Sequence, residues 1–287
     1  MDDDLQPCRD ICLSEVFVMK DCHVHSTYTD ESYPEVADYI KACKDKKIDE
    51  ITITDLFEYC NDKYSFAFAW YKLNTSRAGK DPLVKVNVGL EVGMRPDTVE
   101  DIHKCTRDKS IDYVVGTTSV VDNRSIYDSR FFEGVSRERA YRVYFENLLR
   151  NVELYKDVVD TYGKIDQIIR CGPNPDLRIE YDDYKDILDE MLKIIAENRK
   201  GIEVSTLSFR SGGIVPFPSM KMLRRFKDLG GEIVTLGSCA TSVSDLGRDY
   251  DFTYDILEGV GFDEVATYHK RVPEFQKVKD LRRNVKY

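Results

Sequence analysis

Short apolar runs rich in Val and Ile alternate with longer amphipathic stretches along this 287-residue chain. The short runs have the length of β-strands, and the longer stretches have the periodicity of helices. This alternation is typical of βα units, whose strands lie side by side in one parallel sheet covered by helices. The runs predict eight strands, over Val16 to Asp21, Ile48 to Thr54, Leu83 to Leu90, Ile111 to Thr117, Lys164 to Ile169, Gly201 to Ser205, Glu232 to Leu236 and Asp263 to Thr267.

The stretches between these runs predict helices over Pro34 to Lys46, Thr98 to Lys104, Arg137 to Tyr155, Tyr184 to Asn198, Ser219 to Leu229 and Tyr254 to Val260. Seven or eight βα units can close into a barrel. Neither a Pro/Gly/Ser-rich linker nor a sequence repeat interrupts them. We therefore predict one α/β barrel domain over residues 15–287, preceded by an acidic tail over residues 1–14.

The overall charge argues against nucleic acid as a partner. The net charge is −10, and basic residues are mixed with acidic ones instead of forming a positive stripe. No apolar stretch approaches the roughly 18 residues that cross a membrane, and the start of the chain lacks the basic and then apolar order of a secretory signal. The expected location is the cytoplasm. A small anionic substrate remains compatible with the negative net charge, because its pocket needs only a few local positive side chains.

The cysteine pattern excludes two common kinds of site. The eight cysteines include no Cys-x-x-Cys pair, so neither a zinc ribbon nor a dithiol redox motif is present. We expect reduced thiols that mostly pack as small apolar side chains. Glycine-rich phosphate loops are absent as well, so nucleotide binding of those kinds has no support.

Two of the four histidines lie together where the first predicted strand passes into a loop. In an extended segment, His23 and His25 leave the same face and can converge on one metal ion. The alternative is a pair of exposed or hydrogen-bonded structural histidines. His103 and His269 lie in charged segments and are assigned no role, so any other ligands must be carboxylate, sulfur or water.

Active sites of such barrels form at the carboxyl ends of the strands, where further candidates occur. Glu91 and Asp55 follow apolar runs and could be metal or catalytic carboxylates, or solvated strand-end acids. Cys239 could bind zinc as a thiolate or pack as a buried thiol. Arg170 and Arg210 could hold a phosphate by bidentate hydrogen bonds, although many arginines are simply surface residues.

The sequence resembles the polymerase-and-histidinol-phosphatase (PHP) superfamily, and within it the histidinol-phosphate phosphatases. The first motif is Asp21-Cys22-His23-Val24-His25-Ser26, the second Ile53-Thr54-Asp55 and the third Gly89-Leu90-Glu91-Val92-Gly93-Met94. Further matching segments follow in the family's order at residues 115–120, 163–166, 203–210, 230–238, 261–265 and 270–271. No single motif is long, but their order and spacing together are specific.

This resemblance implies a distorted seven-stranded β/α barrel that holds up to three divalent ions. The implied activity is hydrolysis of a phosphomonoester in histidine biosynthesis, with a small phosphorylated metabolite as substrate. The cations would activate water and neutralise charge on the phosphoryl oxygens. Arg170 and Arg210 match the arginines that hold the phosphate in this family.

The chain departs from the family at five ligand positions. Four family histidines are replaced by Leu56, Ser119, Lys164 and Thr241, and a family aspartate is replaced by Cys239. The remaining candidate ligands are His23, His25, Glu91 and Cys239, a set suited to one zinc ion.

Two hypotheses follow from these departures. The first is a phosphatase with a reduced metal site and impaired activity, in which Glu91, Asp55 and Lys164 act in catalysis. The second is a catalytically inactive relative that binds a phosphometabolite or a protein partner.

Overall fold

The structure, a computed structural model, describes residues 19–58, 68–172 and 178–281. The predicted tail over residues 1–14 and the first residues of the strand predicted from Val16 lie outside these ranges. The described residues form twelve strands: β1 (Met19–Val24), β2 (Ile48–Ile53), β3 (Leu56–Phe57), β4 (Lys85–Gly93), β5 (Tyr113–Thr117), β6 (Val120–Val121), β7 (Arg124–Ser125), β8 (Thr161–Tyr162), β9 (Gly201–Ser205), β10 (Val234–Gly237), β11 (Glu264–His269) and β12 (Val272–Lys277).

Helices connect most of these strands. The α-helices in the described ranges are α1 (Val36–Lys46), α2 (Phe68–Ala78), α3 (Val99–Thr106), α4 (Arg137–Tyr155), α5 (Lys185–Glu197), α6 (Leu207–Arg210), α7 (Met220–Asp228), α8 (Tyr250–Val260) and α9 (Val278–Leu281). Three short 3-10 helices cover Ser129–Phe131, Gln167–Arg170 and Tyr181–Tyr184.

Seven strands follow one another in a parallel sheet in the order β1-β2-β4-β5-β8-β9-β10. The short strand β3 continues the path of β2 and pairs with the second half of β4, with Leu56 opposite Glu91. A parallel bridge between Val24 and Ala240 joins β1 to the end of β10 and nearly closes the sheet into a barrel. The predicted distorted seven-stranded α/β barrel is therefore confirmed.

Apolar helix faces pack around the outside of this sheet. Helix α4 begins after Ser136, whose side chain accepts a hydrogen bond from the backbone N–H of Arg139. Its buried face includes Tyr144, Phe145 and Leu148. The strands have apolar residues on both faces because the barrel interior and the helix layer are both closed to water.

Most of the predicted elements agree with the structure. Seven predicted strands overlap observed ones, and all six predicted helices overlap observed helices. The strand predicted over Lys164 to Ile169 is wrong, because the barrel strand is the earlier, two-residue β8 and the chain then turns into the 3-10 helix Gln167–Arg170. Buried residues Ile165, Ile168 and Ile169 have helical spacing, which also agrees with a turn. Helix α2 was not predicted.

Five cysteines lie in the described ranges, and all five are free thiols, four of them buried. This agrees with the expectation of thiols packed as small apolar groups. None of the described helices combines the length and apolarity needed to cross a membrane.

Candidate functional site

Three side chains from the carboxyl ends of β1 and β4 converge inside the barrel mouth. His23 Nε2 lies 2.9 Å from Glu91 Oε2 and 3.2 Å from His25 Nε2. His25 Nε2 lies 3.2 Å from the same glutamate oxygen. All three residues are buried. Ligand atoms held about 2.0 to 2.2 Å from one ion have separations of about 3 Å, so these three atoms can bind a single metal ion.

The end of β1 is fixed by its neighbours on both sides. The backbone N–H of His25 donates to the carbonyl of Ala240 at 3.0 Å. The buried hydroxyl of Tyr39 on α1 contacts the carbonyl oxygens of both His25 and Ala240. Gly237 on β10 leaves room for His23, because a Cβ at that position would lie 2.6 Å from the His23 Cβ. The backbone segment that carries the two imidazoles is therefore held in place by contacts with α1 and with β10 and the residues after it.

The hydrogen bond made by Nδ1 fixes the tautomer of each histidine. It therefore decides whether Nε2 carries a hydrogen or a lone pair. His23 Nδ1 contacts the buried carboxylate of Glu203 on β9, which can only accept a hydrogen bond when ionised. Thr29 donates its hydroxyl hydrogen to Asp55, so its oxygen accepts from His25 Nδ1 at 3.2 Å. In the neutral rings both Nε2 atoms are then acceptors that face the third acceptor, Glu91 Oε2. Three acceptors this close together need a cation between them. Imidazoles oriented by partners at Nδ1 are the arrangement expected of a metal site.

The surroundings of the two histidines shift their pKa values in opposite directions. Burial alone would lower the pKa of His23, but the acidic groups of Cys239, Glu203 and Glu91 outweigh burial and raise that pKa well above its usual value. Burial lowers the pKa of His25 and favours its neutral, metal-binding form. The site therefore attracts a positive charge, either a proton or a metal ion.

Cys239 belongs to a second group, which includes His23 and Glu203. His23, Glu203 and Cys239 have potential ligand atoms within 4.8 Å of one another. The Cys239 sulfur lies 3.8 Å from Glu203 Oε1 and 3.2 Å from Ser205 Oγ. The predicted ligands thus divide between two groups that share His23. Glu203 was not predicted as a site residue.

Lys164 lies directly against Glu91. Its Nζ is 2.8 Å from Oε1 and 2.9 Å from Oε2, and Thr117 donates a further hydrogen bond to Oε1 at 2.7 Å. Burial by itself would lower the pKa of Lys164, but the charge of Glu91 prevails and the pKa is raised. Burial would raise the pKa of Glu91, yet Lys164 and His23 hold it well below its usual value. The structure therefore contains a buried ammonium and carboxylate pair beside the two histidines.

Asp55 is fully buried and is used as a hydrogen-bond acceptor. Its Oδ1 accepts from the backbone N–H of Ser26 at 2.5 Å and from the hydroxyl of Thr29 at 2.7 Å. Its Oδ2 accepts from the Ser26 hydroxyl at 2.5 Å. These bonds fix the loop after β1 and, through Thr29, the ring of His25.

The two predicted phosphate-binding arginines follow different strands. Arg210 ends α6 and donates to the carbonyl oxygens of Ser238 at 2.6 Å and Cys239 at 3.0 Å. One of its terminal nitrogens is buried and has no hydrogen-bond partner among the described residues. Arg170 ends the 3-10 helix Gln167–Arg170 and is half-buried. Arg210 therefore contacts the Cys239 loop, while Arg170 lies on the segment that follows Lys164.

The positions where a family histidine was expected offer no replacement ligands. Leu56 faces Glu91 across the β3–β4 pair, Ser119 donates to Glu58 at 3.0 Å, and Thr241 is half-buried. Across the three described ranges, the groups of three or more possible ligands are the two built around His23.

The family model for the PHP domain matches residues 21–207, which contain His23, Glu91, Lys164 and Glu203. The chain belongs to the PHP domain family. This confirms the family predicted from the sequence motifs, and the match includes the ends of the barrel strands that carry most of the site.

Relatives of this PHP protein include histidinol-phosphatases. The histidinol-phosphatase of Lactococcus lactis is 24% identical over 253 residues, which cover 86% of this chain and 93% of the relative. The probable histidinol-phosphatase of Clostridium acetobutylicum is 24% identical over 265 residues, 89% of this chain and 98% of the relative.

A crystal structure of a histidinol phosphate phosphatase from Lactococcus lactis, complexed with zinc, L-histidinol and phosphate, has the same fold. Its TM-score is 0.79 at 23% identity, and the likeness covers 89% of this chain and 98% of that one. The PHP barrel is therefore shared along almost the whole of both chains.

Proposed function

We propose that this protein is a metal-dependent phosphomonoester hydrolase of the histidinol-phosphatase type, with a small phosphorylated metabolite as substrate. The observation that carries the proposal is the convergence of His23 Nε2, His25 Nε2 and Glu91 Oε2 within 2.9 to 3.2 Å. Three acceptors held together at this distance fit one divalent ion, and zinc suits this nitrogen and oxygen set. The names of the relatives support the reaction class.

A divalent ion would lower the pKa of a bound water and offset charge on the phosphoryl oxygens. The residues of the chain would hold that ion and orient the substrate. His23, His25 and Glu91 are the proposed ligands, while Glu203 and Thr29 orient the two imidazoles. We assign Asp55 a positioning role, because both of its oxygens already accept hydrogen bonds.

The phosphate would be held by Arg170 and Arg210. A guanidinium can donate two parallel hydrogen bonds to a phosphate. Arg210 supports this role because one terminal nitrogen remains buried without a partner among the described residues. Its other terminal nitrogen is bound to the loop that contains Cys239, which would keep the guanidinium in place.

The test begins with protein purified without chelator. We expect about one zinc or other divalent ion per chain by elemental analysis, and slow release of phosphate from L-histidinol phosphate. His25→Ala should lose both the metal and the turnover, whereas the matched His103→Ala on α3 should keep both. Absence of turnover with zinc, manganese, magnesium and iron(II) in turn would overturn the proposed activity.

A second candidate is a catalytically inactive PHP protein that binds a phosphometabolite or a protein partner. It is favoured by Leu56, Ser119 and Thr241, which offer no metal-binding nitrogen where the family resemblance implies histidine. For a phosphometabolite ligand, this candidate predicts saturable binding of L-histidinol phosphate without hydrolysis. The same purified protein therefore distinguishes it from the phosphatase.

A further inference from the structure

Lys164 occupies a position where it can replace a metal ion. We propose that its ammonium is the fixed second cation of this site, which limits the site to one metal ion and donates a hydrogen bond to the phosphoryl group of the substrate. The inference deepens the proposed function and rests on it for the phosphorylated nature of the ligand. Its central observation is the contact of one ammonium with both oxygens of Glu91.

Of the two oxygens of Glu91, Oε2 is the one that faces the histidine nitrogens. Oε1 accepts from the Lys164 ammonium and from the Thr117 hydroxyl, at 2.8 Å and 2.7 Å. Oε2 is the oxygen that His23 and His25 approach, and Lys164 also contacts it, at 2.9 Å. A glutamate that binds one ion through each of its oxygens needs both oxygens free. Here the place on Oε1 is filled by a positive charge that belongs to the chain itself.

Lys164 also keeps a donor for the substrate. An ammonium group has three N–H bonds, and at most two of them point at the two oxygens of Glu91. Among the described residues, Glu91 is the hydrogen-bond partner of this ammonium. The side chain is 12% exposed, so the group is largely removed from water while part of it remains accessible. A phosphoryl oxygen is a strong acceptor for the remaining N–H.

The backbone of Lys164 supports a functional explanation. Its φ is 54°, in the left-handed region that a lysine rarely adopts. Strained residues that are also buried and charged concentrate at functional sites, where the surrounding structure holds them. This conformation places Lys164 two residues after β8, at the same end of the barrel as Glu91 and His23.

The experiment compares the unmodified protein with Lys164→Met and Lys164→His, using metal content and affinity for inorganic phosphate as measurements. We expect about one ion per chain in the unmodified protein after saturation with zinc and removal of excess. Lys164→Met should bind phosphate at least tenfold more weakly by calorimetry. Lys164→His should take up a second ion and recover part of that affinity. The half-buried Lys200→Met, just before β9 at the opposite end of the barrel, is the control and should change neither quantity.

Circular dichroism and thermal unfolding show whether each variant is folded. If Lys164→Met does not fold, Lys164→Arg replaces it in the comparison and should keep one ion and the phosphate affinity, because the positive charge is preserved. Two or more ions per unmodified chain would overturn the inference, as would unchanged phosphate affinity in a folded Lys164→Met or lost affinity in a folded Lys164→Arg.

Failure of this inference can be distinguished from failure of the proposed function. Metal counting and phosphate binding require no turnover. If phosphate binds through Lys164 without hydrolysis of L-histidinol phosphate, the phosphatase proposal fails and the inference remains. If hydrolysis occurs but phosphate affinity does not depend on Lys164, only the inference fails.

Discussion

Glu203 determines which nitrogen of His23 faces His25 and Glu91. It is fully buried and contacts His23 Nδ1. We expect Glu203→Gln to bind zinc about 10 to 100 times more weakly, because the orienting partner loses its negative charge while its size is kept. Competition with a chelating dye measures this affinity, and the exposed Glu232→Gln serves as the control. Equal zinc affinity in both variants would contradict the assigned role of Glu203.

The sequence predicted part of this residue arrangement. His23, His25 and Glu91 were found because each follows an apolar run and carries a ligand atom. Glu203 has a detectable signal as well, because a glutamate between the buried Ile202 and Val204 in a parallel strand must be buried and therefore paired. The sequence could not show that Cys239 is grouped with Glu203 and not with Glu91, because that depends on side-chain rotation and on barrel closure.

Asp166 is expected to make stability depend on pH. Burial raises the pKa of Asp166 to about 7, and one of its buried oxygens has no hydrogen-bond partner among the described residues. Between about pH 4 and pH 7 the folded protein binds more protons at Asp166 than the unfolded chain does. This residue therefore stabilises the fold less as the pH rises, by at most about 1.4 kcal/mol per pH unit.

The variant Asp166→Asn should lack this dependence. Asparagine cannot ionise, and its amide oxygen can still accept from the backbone N–H of Ser219. The free energy of unfolding of the variant, relative to the unmodified protein, should increase between pH 5 and pH 8 in urea titrations. A difference that stays constant with pH would show that Asp166 does not titrate in this range.

At the level of elements, the hairpin formed by β11 and β12 packs against the barrel through apolar side chains such as Tyr268 and through Arg271. Arg271, at its turn, forms an ion pair with the buried Asp160. It also donates to the carbonyl oxygens of Thr106 at 3.1 Å and Val158 at 2.6 Å. These contacts join the hairpin to the ends of α3 and α4.

Removal of this arginine should destabilise the protein strongly. We expect Arg271→Ala to lower the free energy of unfolding by about 3 kcal/mol, because the carboxylate of Asp160 would remain buried without its partner. Arg271→Lys keeps the charge and should lose less. Urea unfolding of the two variants measures the difference, and a loss below about 1 kcal/mol in Arg271→Ala would mean that Asp160 finds another partner.

Most strands and helices of five or more residues were predictable, because the regular spacing of their apolar residues can be recognised over that length. Strand β8 has only two residues, too few for any period, and the apolar run that follows it forms a turn. The same limit applies to β3, β6 and β7, which also have two residues each. Helix α2 exposes Trp70 and Leu73 to solvent, so its apolar pattern does not mark one buried face.

At the scale of the whole molecule, barrel closure and the convergence of His23, His25 and Glu91 depend on each other. His23 lies on β1 and His25 directly follows it, Glu91 lies on β4, and the backbone of Ala240, far along the sequence, supports His25. The unfolded chain does not hold these groups together. A metal ion that binds them will therefore stabilise the folded state according to its affinity.

Zinc should accordingly raise the unfolding temperature of metal-free protein. At a free zinc concentration one hundred times the dissociation constant, the gain is about 2.7 kcal/mol. For a domain of this size, that gain corresponds to roughly 4 to 5 °C in thermal unfolding followed by circular dichroism. His25→Ala should lose most of the shift because it removes a proposed ligand, whereas His103→Ala on α3 should keep it. If both variants respond to zinc equally, the stabilising ion binds elsewhere, and the convergence of His23, His25 and Glu91 must then be explained by a proton on His23 instead of a metal ion.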